Sequence, residues 1–190
     1  MPGFKCRLLA LLVAFSLAQI ARSQDGPKTL SAQIDDLAAT LVATTSSQER
    51  DALLVTRKEL VTPDLRKSLV RTGNAQMMSG EYARALEIYK IAENVAGRIG
   101  DKDGLAAAAM NIGTVYYFQG KYDLALDRYA TARKLSLETQ NSYEAAKALA
   151  GMALIYRSQQ NDDAALDSYE LALKEFTSLN NQEEMANALN

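Results

Sequence analysis

Three stretches of this chain repeat one phrase in fixed phase: GEYARALEIYKIA from Gly80, GKYDLALDRYATA from Gly120 and QNDDAALDSYELA from Gln160. The aligned pairs Ala85-Leu86, Ala125-Leu126 and Ala165-Leu166 stand 40 residues apart. A fixed period in that range, written in helix-forming residues, predicts a stacked helical repeat rather than an enzyme fold. The expected architecture is all-α: an α-solenoid of antiparallel helix pairs. Binding becomes the expected function, and no ligand is named by the residues.

Composition narrows the choice further. The 190 residues are enough for one domain with a sizeable core. The formal charge is −2 and acids and bases are mixed along the helices, so nothing points to a nucleic-acid partner. Histidine is absent and the one cysteine is Cys6. That cysteine sits in a leader-like segment. Lys5 and Arg7 are followed by the apolar run Leu8 to Ile20, 13 residues long, too short to span a bilayer comfortably. Ala21 and Ser23 are small and two apart, which suits signal peptidase and predicts cleavage after Ser23. The protein is then exported, periplasmic or extracellular; the alternative is an uncleaved signal acting as a membrane anchor. Cleavage removes Lys5, Arg7 and Arg22, lowering the net charge from −2 to −5. The mature chain then has no thiol, no cysteine ligand and no membrane span.

Beyond the leader the chain reads as helices. Leu30, Ile34, Leu37 and Leu41 recur at spacings of three and four, one face of a helix. Ser46 with Glu49 three residues on is a capping box for a second, short helix that carries Leu53, Leu54 and Leu60. Thr62-Pro63 reads as an N-cap and first-turn proline. Helices are then expected at about 64–79, 82–99, 102–119, 122–139, 142–159 and 162–179. The organisation is a leader (1–23), an N-terminal helical segment (24–62), three units (63–100, 101–140, 141–180) and the start of a fourth (181–190).

The units pack by a common rule. Tyr122, Ala125, Leu126, Tyr129 and Ala132 share one helix face, and the preceding helix offers Ala109, Ile112, Gly113 and Tyr116. Small residues recur at Gly73, Gly113 and Ala153, letting two helix backbones approach, while Tyr89, Tyr129 and Tyr169 fill the space beside them. Gly80 and Gly120 are expected as left-handed caps, with Asn161 of the pair Gln160-Asn161 serving in the third unit.

These residues resemble the tetratricopeptide repeat, over roughly Leu65 to Asn190. The second unit matches its pattern at Gly113, Tyr116, Gly120, Tyr122, Ala125, Tyr129 and Ala132; the first departs at Gln76 and the third at Gln160 and Asp162. No unit has the usual proline at the end of its second helix. The period of 40 is similar to the longer variant of kinesin light chains and many bacterial signalling proteins. The resemblance implies a right-handed superhelix whose concave side, lined by the first helix of each unit, binds a peptide or a partner's helix. Carried over residue by residue, that groove is lined by Lys67, Val70, Arg71, Asn74 and Met77, then Met110, Asn111, Thr114 and Tyr117, then Lys147, Ala150, Leu154 and Arg157. Asn74 and Asn111 suit peptide amides, and Lys67, Lys147 and Arg157 suit carboxylates.

Catalysis finds little support. Without histidine or a mature cysteine, the common nucleophile–base pairs and zinc sites are missing. Gly97, Gly100 and Gly104 are scattered through a helix end and a loop and form no phosphate loop. Asp162-Asp163 and Glu183-Glu184 are acids at expected helix starts, favoured by the dipole. The repeat tyrosines read as packing. No cofactor and no metal is expected. Finally, Asn181 to Asn190 aligns with Asn141 to Ala150, as the opening of a further unit, which suggests a piece of a longer protein. Leader, helical pair and 40-residue repeats together look like the front half of bacterial proteins that end in a caspase-like CHAT peptidase, or of similar sensor kinases. In that alternative the repeats form a recognition or regulatory arm.

Overall fold

The computed structural model describes residues 28–188. The leader and its cleavage site, the cysteine included, lie outside them. Eight α-helices follow one another: α1 Leu30–Ala43, α2 Ser47–Thr56, α3 Pro63–Met78, α4 Tyr82–Ile99, α5 Lys102–Phe118, α6 Tyr122–Glu138, α7 Ser142–Ser158 and α8 Asp162–Ala188. A 3-10 turn, Lys58–Leu60, links α2 to α3. From α3 onward each helix packs chiefly on its neighbours in sequence, while α1, α3, α5 and α7 also touch in succession as one row. The first helices of the units thus form one layer and the second helices the other.

Local chemistry sets the boundaries. Thr29, Ser46 and Thr62 each accept a backbone N–H bond as N-caps, and Pro63 opens α3 where no N–H partner is needed. Each turn between helices from α3 to α8 uses one left-handed residue: Gly80, Gly100, Gly120, Gln140 and Gln160, with φ of 76, 69, 70, 59 and 61°. The next residue closes the helix end with a long-range backbone bond, as in Glu81 N–H to the Gln76 carbonyl at 2.9 Å. In the third unit the left-handed residue is therefore Gln160 and not Asn161. Asn161 is needed one step later, where its side chain accepts the Ala164 N–H at 3.3 Å and caps α8.

The core is built in layers. Ile34, Leu37, Leu41, Leu54, Leu60, Leu65, Leu69 and Ile88 form one buried cluster that joins α1, α2 and the 3-10 turn to α3 and α4. The N-terminal helical segment is therefore the first layer of the stack. Ala85, Tyr89, Ile112 and Val115 make the next cluster, and Ala125, Tyr129 and Ile155 another. One expected boundary differs. Helix α8 continues through 180 to Ala188 where a turn was expected near 179. At Gly100 and Gln140 the turn is accompanied by a helix that folds back and packs; among the described residues none does so after 180, so the broken hydrogen bonds would gain nothing in return.

Candidate functional site

The small positions of the repeat seat tyrosine rings. A Cβ on Gly73 would stand 2.5 Å from Tyr89 Cε1, and one on Gly113 2.9 Å from Tyr129 Cδ1. The glycines thus make room for a ring, where the sequence suggested backbone-to-backbone approach. Gly151, which the repeat pattern did not single out, does the same from the far side: its Cβ would lie 2.9 Å from Tyr129 Cε2. Tyr129 is clamped between its own unit and the next. Burial raises the Tyr89 and Tyr129 hydroxyls above the usual phenol range, with Thr114 partly opposing this at Tyr129.

Those hydroxyls reach two of the expected groove residues. The Tyr89 hydroxyl donates to Asn74 Oδ1 at 2.6 Å, and the Tyr129 hydroxyl pairs with Thr114 Oγ1 at 3.1 Å. Thr114 also donates to the Met110 carbonyl at 3.0 Å. Asn74 and Thr114 are therefore partly structural, although the Asn74 amide keeps its N–H donors. In the third unit Leu154 takes this place, and Tyr169 has no such acceptor there.

The thirteen expected residues all lie on α3, α5 and α7, and none of them is buried. Lys67, Arg71, Asn74, Lys147 and Arg157 are exposed. Val70, Met77, Met110 and Tyr117 also brace the cores beneath them, and Asn111, Thr114, Ala150 and Leu154 are half-buried. The cations differ from expectation. Lys67 already holds Asp64 at 3.2 Å, Arg71 holds Asp35 at 3.3 Å, and Lys147 holds Glu144 at 2.9 Å while lying over the Tyr143 ring. Such exposed pairs are weak, on the order of 0–1 kcal/mol, and exchange readily for another carboxylate. Only Arg157 of the four cations has no ion pair within the described residues.

Between α1 and α3 lies a recess lined by Leu30, Ile34, Asp35, Asp64, Lys67 and Arg71. It places two of the expected cations beside α1, a neighbour the repeat pattern alone did not supply. Sequence reading also missed Arg66. Its guanidinium binds Asp101 at 2.8 Å, and Asp101 in turn caps α5 by accepting the Gly104 N–H at 2.7 Å. Gly104 is not a loop glycine: it is buried in the first turn of α5, where Asp101 and Arg66 occupy the space of a side chain. Among the described residues no group of three or more acids is placed to share a metal ion, and no helix is long and apolar enough to cross a membrane.

Comparison with known proteins agrees with this geometry. A tetratricopeptide-repeat family model matches residues 64–138 and again 105–178. No curated protein matches the sequence. Among solved structures, the TPR domain of Arabidopsis FLU superposes with a TM-score of 0.56 at 21% identity, covering 60% of this chain and 95% of that one. BtubC (BKLC) from P. vanneervenii gives 0.58 at 17% identity, covering 94% and 75%. At such identities the likeness concerns the fold alone. With the family model spanning well over half of the residues, the chain belongs to the tetratricopeptide-repeat family.

Proposed function

We propose that this chain is a non-catalytic protein–protein interaction module that binds a peptide or partner helix along the row α3, α5, α7. The observation that carries this is the continuity of the thirteen residues: all stay out of the core on three helices that touch in succession. Amide and hydroxyl groups at Asn74, Asn111 and Thr114 offer backbone recognition in the centre, and exchangeable cations at Lys67, Lys147 and Arg157 flank it. Asn111→Ala combined with Lys147→Ala is expected to weaken binding of a proven partner about tenfold or more while leaving helicity unchanged. Unchanged affinity would remove the groove assignment.

We further infer export, on the strength of Lys5, Arg7 and the apolar run Leu8 to Ile20. Intact mass of the native protein tests it: a mature chain starting at Gln24 supports export, and retention of Met1 to Ser23 contradicts cleavage. The second reading, a recognition arm of a longer effector such as a CHAT peptidase or sensor kinase, is favoured by the register of Asn181–Asn190 on Asn141–Ala150. A native mass far above that of these residues would select it.

A further inference from the structure

The three units allow one surface to be compared with itself. Leu86 of α4 is partly covered by Ile112, Val115 and Tyr116 of α5, and Leu126 of α6 by Met152 and Ile155 of α7. Leu166 occupies the same place on α8 and is 58% exposed. The tyrosines follow suit: Tyr89 and Tyr129 are 2% and 5% exposed, whereas Tyr169 is only partly buried. A third position completes the pattern. Glu93 binds Arg128 of the next unit at 3.0 Å, and Arg133 binds Glu175 of the next at 3.0 Å. Their counterpart is Leu173, which is 66% exposed. At the end of a repeat array a polar face is the usual arrangement. Here the charged position has become leucine instead.

We propose that this face of α8 is a second docking surface, for an amphipathic helix of a partner protein. The mould of that helix is present twice in the molecule. It carries a residue without a side chain opposite the tyrosine, as Gly151 does against Tyr129, and aliphatic residues one turn on, as Met152 and Ile155 do against Leu126. Charge selects between occupants. Exposed Asp162, Asp163, Asp167 and Glu170 outnumber the exposed Lys174 on α8, so a second copy of α8 would meet like charge and a helix with basic flanks would be attracted. The surface is separate from the row α3, α5, α7 and does not depend on the groove reading.

The helix that covers the equivalent face one unit earlier supplies the probe: a labelled peptide of residues 142–158, titrated into the protein and followed by fluorescence anisotropy. Saturable binding is expected, weakened tenfold or more by Leu166→Asp with Leu173→Asp in the protein and by Gly151→Leu in the peptide. Both leucines are exposed, so circular dichroism of that variant should match the parent. Failure of the peptide to bind, or equal binding to the double variant, overturns the proposal. So does a dimer of the protein alone, seen by sedimentation, that the double variant converts to monomer, because the face would then be closed by a second copy.

Discussion

Tyrosine at the seventh place of each second helix sets the chemistry of this fold. Tyr89 and Tyr129 bury their rings on Gly73 and Gly113 and spend their hydroxyls on Asn74 and Thr114. Burial holds both protons above the usual pKa of 10.0. In the unfolded chain the same phenols ionise near the ordinary value, so from about pH 10 upward the unfolded state binds fewer protons and stability falls. Below that the contribution is complete. Denaturation midpoints measured from neutral to alkaline pH are expected to drop above about pH 10, more steeply in the parent than in Tyr129→Phe. The Phe variant should begin about 1 kcal/mol lower for its lost bond to Thr114. Equal slopes would mean that Tyr129 titrates normally. The ring positions were legible in the sequence because they recur every 40 residues. Gly151 and Arg66 were not, since each appears in one unit only and acts between units, where spacing within a unit carries no signal.

At the scale of elements, the helices from α3 to α7 were readable to within about a residue, because turn glycines, Pro63 and paired Ala-Leu positions all repeat in phase. The turns themselves were harder. A glutamine holds the left-handed conformation at Gln140 and Gln160, which side chains adopt at a cost of about 1–2 kcal/mol. Gln160→Gly is therefore expected to stabilise the protein by about 0.5–1 kcal/mol, the strain relieved being partly offset by glycine's greater freedom when unfolded. A lowered thermal midpoint in that variant would contradict the turn geometry. Contact between helices gives the opposite sign. Ala125 is fully buried against its neighbours, and Ala125→Leu should destabilise by about 1–3 kcal/mol through overpacking. An unaltered melting midpoint would show that the site has room. The end of α8 was not legible because Asn180-Asn181 sits in the right register for a turn, yet among the described residues no returning helix follows.

The molecule as a whole is a nearest-neighbour stack, in which each helix pair is stabilised by the pairs on either side. Its N-terminal side is closed by α1 and α2, whose leucines share one core with α3 and α4. That closure was not visible in the repeat, because α1 and α2 do not follow the 40-residue phase. It also brings Asp35 to Arg71 and Ser68, reducing the free charge at that end of the row. Recognition is then expected to centre on the middle and far units, around Asn111, Thr114, Leu154 and Arg157. The most direct test is to select peptide ligands from a random library against the protein and map the bound site by amide chemical-shift perturbation. Shifts concentrated on α3, α5 and α7, strongest near Asn111 and Leu154, are expected. Shifts confined to the outer faces of α4 and α6, around Lys90 and Lys134, would contradict recognition along the first-helix row.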